Sequence, residues 1–393
     1  MLIKKKFIIS VGLIACIFMP KIDLISIPRF HQGIRYDDLF LLSGLIYIIL
    51  QRKIFLHFFP GRNIYFVFYG IILTYGIFSF YEFGFITIIL AARWLEYSIF
   101  FVLLSYSSLN SGHIRKFIVI YIFINSIIVM LQYYGLMGGI YSHGYQEAGG
   151  VIVGRVSGIT GGSWELSAVL SLFTVSLIYD KQLKYNKKFI IIIISTILIC
   201  LSSTRTGMVT FVIVTMYALF QVYKIKFTGI VLFVSMCILF AFNTRPEYYR
   251  KMSSIRQDPD FRHISFTNTS IGDIQVTGSL LQRFGDWSNK IMGMDNLDFI
   301  LGKGMGSAGL YMDGMYVKIF VDMGILGLLL FFAYYYKFLK SFKAIALVVL
   351  MFCVTLDFFS TSKIMFALYL SIYYLKLIHY TPSEHLKKRW NRN

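Results

Sequence analysis

Charge is the scarcest property of this chain. Only 15% of its residues are Asp, Glu, Lys or Arg, against 57% hydrophobic residues and a mean hydropathy of +0.68. A water-soluble globule could not cover its surface with so few polar side chains. Acidic residues are rarer still, 19 against 38 Lys and Arg. The four cysteines (Cys16, Cys200, Cys237 and Cys353) all fall inside apolar stretches without metal-ligand spacing, so they read as packing residues rather than a disulfide framework or metal site. His31, His143 and His263 lack any partner pattern, and no Ser-His-Asp arrangement is visible. No small-x-small cleavage site ends the apolar run that follows Lys4-Lys5-Lys6, which therefore reads as an uncleaved first helix. Nor is there a basic helix or aromatic-basic module, so the net charge of +19 is a topology signal and nucleic acid is not an expected partner.

What the chain has in abundance is apolar, aromatic-rich sequence broken by short polar connections. Spans are predicted near 7–22, 38–51, 63–80, 84–105, 117–136, 164–179, 189–202, 207–223, 227–243, 315–336, 344–360 and 364–379. Several fall short of the ~20 residues of a straight crossing and must borrow interfacial aromatics. The runs are continuously apolar, whereas a membrane barrel strand alternates. The expected fold is all-α, a polytopic transmembrane bundle of about twelve spans with eleven as the rival count. It divides into residues 1–243 (nine spans and short loops), 244–314 (a long outer loop with an amphipathic helix) and 315–393 (three spans and a tail).

Lys and Arg resist translocation in short loops, so their distribution sets orientation. They recur in every second connection, and 22 of the 38 lie in the segments this assigns to the cytoplasm. Of the 19 acidic residues, only Asp180 and Glu384 lie there. Both termini are thus expected in the cytoplasm and the long loop outside.

The rhythm breaks at outer connections. Arg35-Tyr36-Asp37-Asp38 places charge at the outer mouth, and the glycine-rich segment 137–163 contains Gly154-Arg155-Val156-Ser157-Gly158. The turn Ser202-Ser203-Thr204-Arg205-Thr206-Gly207 is so short that Arg205 is forced near membrane depth, where a cation needs a wet cavity or an anion. In the long loop, Ser279-Leu280-Leu281-Gln282 fits a capping box. Leu280, Phe284, Trp287 and Ile291 then recur at helical spacing, with Arg283 and Lys290 on a face aimed away from Trp287. Gly304 to Gly309 matches G-x-G-x-x-G formally, but no βαβ unit surrounds it, so tight turning back into the bilayer is the better reading.

These pieces together resemble the O-antigen polymerase (Wzy) group within the O-antigen ligase/polymerase family. The residues that carry the likeness are Arg155-Val156-Ser157-Gly158, Ser203-Thr204-Arg205-Thr206-Gly207 and Leu301-Gly302-Lys303-Gly304-Met305-Gly306. Asp313-Gly314-Met315-Tyr316 and Met323-Gly324-Ile325-Leu326-Gly327-Leu328 follow them. The resemblance implies a metal-independent glycosyltransferase with a GT-C-like fold and no cofactor, acting on undecaprenyl-pyrophosphate-linked oligosaccharide at the outer face of the bacterial inner membrane. A chain-length regulator protein would be a partner, besides membrane lipid. Similar ligases usually carry a histidine just before the span that follows the long loop. This chain has Asp313 there, which favours polymerase over ligase.

Such an enzyme moves a growing glycan from its pyrophosphate to a hydroxyl of a new lipid-linked repeat. The protein must supply positioning and cations for the leaving pyrophosphate. Arginine suits this because its planar fork contacts phosphate bidentately and stays charged. The expected pyrophosphate ligands are Arg155, Arg205 and Arg283, with Arg283 and Asp313 as catalytic candidates and Asp313 as the proton acceptor. Each has a plainer alternative: Arg205 as an interfacial anchor, Arg155 paired with Glu147 or Glu165, Arg283 paired with Asp286, and Asp313 as a helix cap. Arg93 with Glu96, and Lys318 with Asp322, are spaced to pair within their helices; Asp357, a carboxylate inside the eleventh span, is a functional suspect, with pairing to Lys363 as the plainer alternative. Asp258-Pro259-Asp260 and Asp37-Asp38 are carboxylate pairs without further ligands, so no metal is expected. The alternatives in function are ligase and a lipid-linked oligosaccharide transporter or flippase, though no internal repeat of the kind transporters show is visible.

Overall fold

The computed structural model describes residues 2–19, 23–27, 30–50, 62–134, 136–137, 156–202, 204–224, 229, 269–271, 274–276, 278–309 and 314–379. The expected ninth span, 227–243, lies outside the described residues except for position 229. Each of the other predicted spans overlaps a helix, although the helix of the eleventh span stops at Thr355. In chain order these helices are α1 (Leu2–Phe18), α2 (Tyr36–Leu50), α3 (Arg62–Phe78), α5 (Ile86–Tyr106), α6 (Ser111–Tyr133) and α7 (Ser163–Ile178). These are followed by α8 (Tyr185–Leu201), α9 (Arg205–Tyr223), α12 (Met315–Leu339), α13 (Lys343–Thr355) and α14 (Ser362–His379). Short helices α4 (Phe80–Phe83), α10 (Gly278–Met292) and α11 (Asn296–Leu301) complete the set, with a 3-10 turn at Phe358–Ser360. Two small antiparallel ribbons, β1 (Asp23–Ile27) with β2 (Phe30–Arg35) and β3 (Thr269–Ile271) with β4 (Ile274–Val276), lie between helices of this helical chain.

Among the described residues, four helical stretches are long and apolar enough to cross a membrane: Thr87–Tyr106, Ser111–Tyr133, Arg205–Tyr223 and Met315–Leu339. The other bundle helices are apolar but shorter or less hydropathic, as the brevity of the sequence runs foreshadowed.

α7 is the axis of the bundle, and every residue from Glu165 to Ile178 is buried. It tolerates enclosure because its polar side chains are small and satisfied along the helix: Ser171 donates to the Ser167 carbonyl and Ser176 to the Leu172 carbonyl, both at 2.7 Å. α9, α14, α8 and α13 pack around it. Hydroxyls also join helices, with Thr174 donating to Ser195 at 2.8 Å and Tyr65 within 2.7 Å of Ser98. A second layer of aromatic packing links α3, α5, α12 and α14, including Phe100 stacked on Phe366 at 4.5 Å and Phe68 on Tyr334 at 5.1 Å.

Polar contacts fix which helix ends lie together. Asp180, just past α7, accepts from Tyr374 of α14 and pairs with Arg115 of α6 at 3.5 Å. Arg115 also donates to Gln182 at 2.9 Å, so two of the basic connections meet at this end. At the opposite end Ser167 of α7 lies 2.6 Å from Thr204, the residue that opens α9. α14 runs parallel to α7, with Ser371 at Leu172 and Tyr374 at Asp180, so its start lies at this end together with the end of α1, the start of α2, the start of α12 and the end of α13. The connections that carry Arg115 and Gln182 thus share the other end of the bundle. Cys16, Cys200 and Cys353 are buried and free, in keeping with packing roles; Cys237 is outside the described residues.

Candidate functional site

Three polar constructions occupy the end of the bundle where α7 and α9 begin. The first is built on the sixth helix. Gln132 accepts from the amides of Ser157 (3.1 Å) and Gly158 (2.9 Å) and donates back to the Gly158 carbonyl at 3.1 Å. Asn125 accepts from the Ile159 amide at 3.1 Å. Gly158 adopts φ +61°, and a Cβ there would sit 2.1 Å from the Asn125 Oδ1, so both backbone and space require glycine. The Gly161 amide donates to Glu165, a residue buried at the base of α7. Residues 156–162 are thus clamped over the start of α7. Beside them, Ser167, Ser202 and Thr204 form a hydroxyl cluster with separations of 2.6 to 3.1 Å. Arg205 is the first residue of α9 and is exposed, and none of the described acidic groups pairs with it.

The second construction surrounds α12. Lys318 forms an ion pair with Asp357 at the α13–α14 turn, while the Met315 amide donates to the Leu356 carbonyl at 3.1 Å. Asp322 is buried and accepts from the Ala308 amide (2.9 Å) and the Ser307 hydroxyl (3.1 Å). Its own carbonyl receives the Gly304 amide at 3.1 Å, and that of Val321 receives the Lys303 amide at 2.8 Å. These carbonyls are free because α12 is interrupted at Gly324, whose φ of 64° and ψ of −167° are not helical. The glycine-rich segment therefore supplies the backbone partners that the broken helix lacks. Met305 completes the dock by donating its amide to Ser79 at 2.7 Å. α10 lies alongside, with Trp287 and Ile291 against Ala308 and Val321 and with Lys290 donating to the Ser307 carbonyl at 3.1 Å.

The third is a buried ionic cluster at the start of α2. Arg35 is 2% exposed and pairs with Asp37 at 3.4 Å and Asp38 at 3.1 Å, while donating to Ser362 at 3.2 Å and reaching Tyr97 at 3.5 Å. Burial alone would lower the Arg35 pKa, but Asp37, Tyr97 and Asp38 outweigh it and hold the guanidinium above its ordinary value. Lys363 lies nearby and donates to the carbonyls of Cys16 (2.6 Å) and Met19 at the end of α1. No protein-family model and no curated protein matches the sequence of this chain.

Of the expected site residues, Arg155 and Asp313 lie outside the described residues. The flanks of both are fixed at this one end, Val156–Gly158 on the sixth helix and Gly314 at the head of α12. Arg205 lies at the same end, and Arg283 is half-buried on α10.

Several expectations need correction. Asp357 pairs with Lys318, not Lys363, because the α13–α14 turn folds over the head of α12. Asp322 keeps the attraction of Lys318 one turn away but takes its hydrogen bonds from the glycine-rich segment. Lys290 bonds the Ser307 carbonyl, next to the Ala308 against which Trp287 packs, so its face is not directed away from Trp287. Asp37 and Asp38 are engaged by Arg35 instead of standing as an open carboxylate pair. Among the described residues, no group of three or more His, Cys, Asp or Glu is placed to hold a metal ion, and Asp258-Pro259-Asp260 is outside them. Sequence reading missed Asn125 and Gln132. Their spacing of seven on an otherwise apolar helix was the available signal.

Proposed function

We propose that this chain is an O-antigen or related surface-glycan polymerase of the bacterial inner membrane, a multi-pass protein of about twelve spans with a GT-C-like plan and both termini cytoplasmic. It transfers the growing glycan from undecaprenyl pyrophosphate onto the terminal hydroxyl of a new lipid-linked repeat, at the periplasmic face. The observation that carries this reading is Arg205. It is an exposed cation on the first turn of a membrane-length helix, beside a hydroxyl cluster, at the end of the bundle that also fixes the flanks of Arg155 and Asp313. A helix N-terminus and an arginine together favour an anion, here the pyrophosphate. Arg155 and Arg283 are the further cations of this reading, and Asp313 the proton acceptor.

A transporter gains one feature from the break in α12. That break is closed by backbone partners from residues 303 and 304, which supports a fixed dock rather than an open ion or substrate path. Deleting the gene and resolving the cell's lipopolysaccharide on a gel tests the proposal. A polymerase mutant retains core plus a single repeat, whereas bare core would assign a ligase, and repeats trapped on the inner face would assign a flippase.

A further inference from the structure

α11 rests against α12 at the level of the helix break. Phe299 meets Phe320 edge-on with ring centroids 4.9 Å apart, and the Ile300 carbonyl abuts Gly324. At ~1.5 Å per residue this level is about 13 Å along α12 from Met315. α12 is one of the helices long and apolar enough to cross a membrane. Four of the side chains that α11 leaves exposed are apolar, Leu297, Phe299, Ile300 and Leu301, at 64%, 50%, 48% and 40%; the fifth is Asn296, at its first position next to the capping Asp295. Just past the break, Leu326 and Leu329 of α12 are exposed as well. Charge gathers at the other edge of α11. Asp295 caps it by accepting from the Asp298 amide at 2.7 Å, and Lys303 lies 4.0 Å from Asp298 and donates to the Gly293 carbonyl.

We propose that α11 is inserted in the membrane, with Leu297, Phe299, Ile300 and Leu301 in contact with lipid acyl chains and Asp295, Asp298 and Lys303 at headgroup level. Lipid is the occupant because the exposed apolar side chains continue, at the same level, the surface that α12 offers to the bilayer, while the polar groups are sorted to one edge. The capping box pairs the Asp295 and Asp298 amides and the Gly302 amide bonds the Asp298 carbonyl, so part of the backbone at each end of the short helix is satisfied without water. This inference rests on packing alone and is independent of the enzymatic reading.

Spin labels at Leu297→Cys, Phe299→Cys and Leu301→Cys in the full chain, reconstituted in liposomes, test it through collision with oxygen and with a water-soluble nickel chelate. Leu329→Cys serves as the lipid reference and Asn289→Cys as the aqueous one; protein without an introduced cysteine sets the background. Insertion predicts that oxygen exceeds nickel accessibility several-fold at all three positions, matching Leu329→Cys. Nickel accessibility like that of Asn289→Cys overturns the proposal. So does shielding from both reagents, which would mean that protein, not lipid, covers the face.

Discussion

Lys318 of α12 and Asp357 at the α13–α14 turn form an ion pair that is almost closed to solvent, with the two side chains 6% and 16% exposed. Removing one partner leaves a charge stranded at the head of a helix long and apolar enough to cross a membrane. Asp357→Asn and Lys318→Met should each destabilise the protein by about 3 kcal/mol, and the double replacement should recover part of the loss. Thermal unfolding in detergent or lipid nanodiscs reads this directly. Strictly additive losses would mean that the pair does not act as a unit.

The dock of the glycine-rich segment on α12 depends on Gly324. Its φ is +64°, and a Cβ would approach the Ile300 carbonyl to 2.3 Å. Gly324→Ala should therefore release residues 300–304 from α12, at a cost of about 1–3 kcal/mol. Limited proteolysis or cysteine labelling near Lys303 should increase. Unchanged protection would show that the break in α12 is not what holds the segment.

Asp313 is the candidate proton acceptor. If it has that role, Asp313→Asn should lower turnover strongly with little loss of substrate binding. A helix-capping aspartate would tolerate the same change, because Asn caps about as well as Asp. Polymer length and rate in reconstituted liposomes separate the two; near-normal extension would move the chemistry onto the arginines alone.

Orientation is tested with reporter fusions. A phosphatase fused after Asp260 should be active and one fused after Lys187 inactive, since basic residues concentrate around Lys187. The reverse pattern would place the Arg205 end of the bundle in the cytoplasm.

Continuous apolar runs made the helices legible in sequence, because burial in lipid imposes the same demand along the whole element. The amphipathic helix at Gly278–Met292 was legible as well, through the spacing of Phe284, Trp287 and Ile291. What sequence could not show was which polar groups choose each other across long separations. Asp322 has Lys318 one turn away, yet its hydrogen bonds go to Ser307 and Ala308, whose position depends on the break at Gly324. Arg35 likewise reaches Ser362, 327 residues along the chain. Local spacing rules capture neighbours on one helix and are silent about such partners.

The most direct measurement is chain extension by the purified protein in liposomes supplied with undecaprenyl-pyrophosphate-linked repeats. The wild type should build polymer. Arg205→Ala should reduce extension about 100-fold or more while remaining folded and inserted, and Arg205→Lys should restore only part of it, since an ammonium lacks the bidentate fork. Polymer formed equally well by the Ala variant, or none formed by the wild type, would contradict the account.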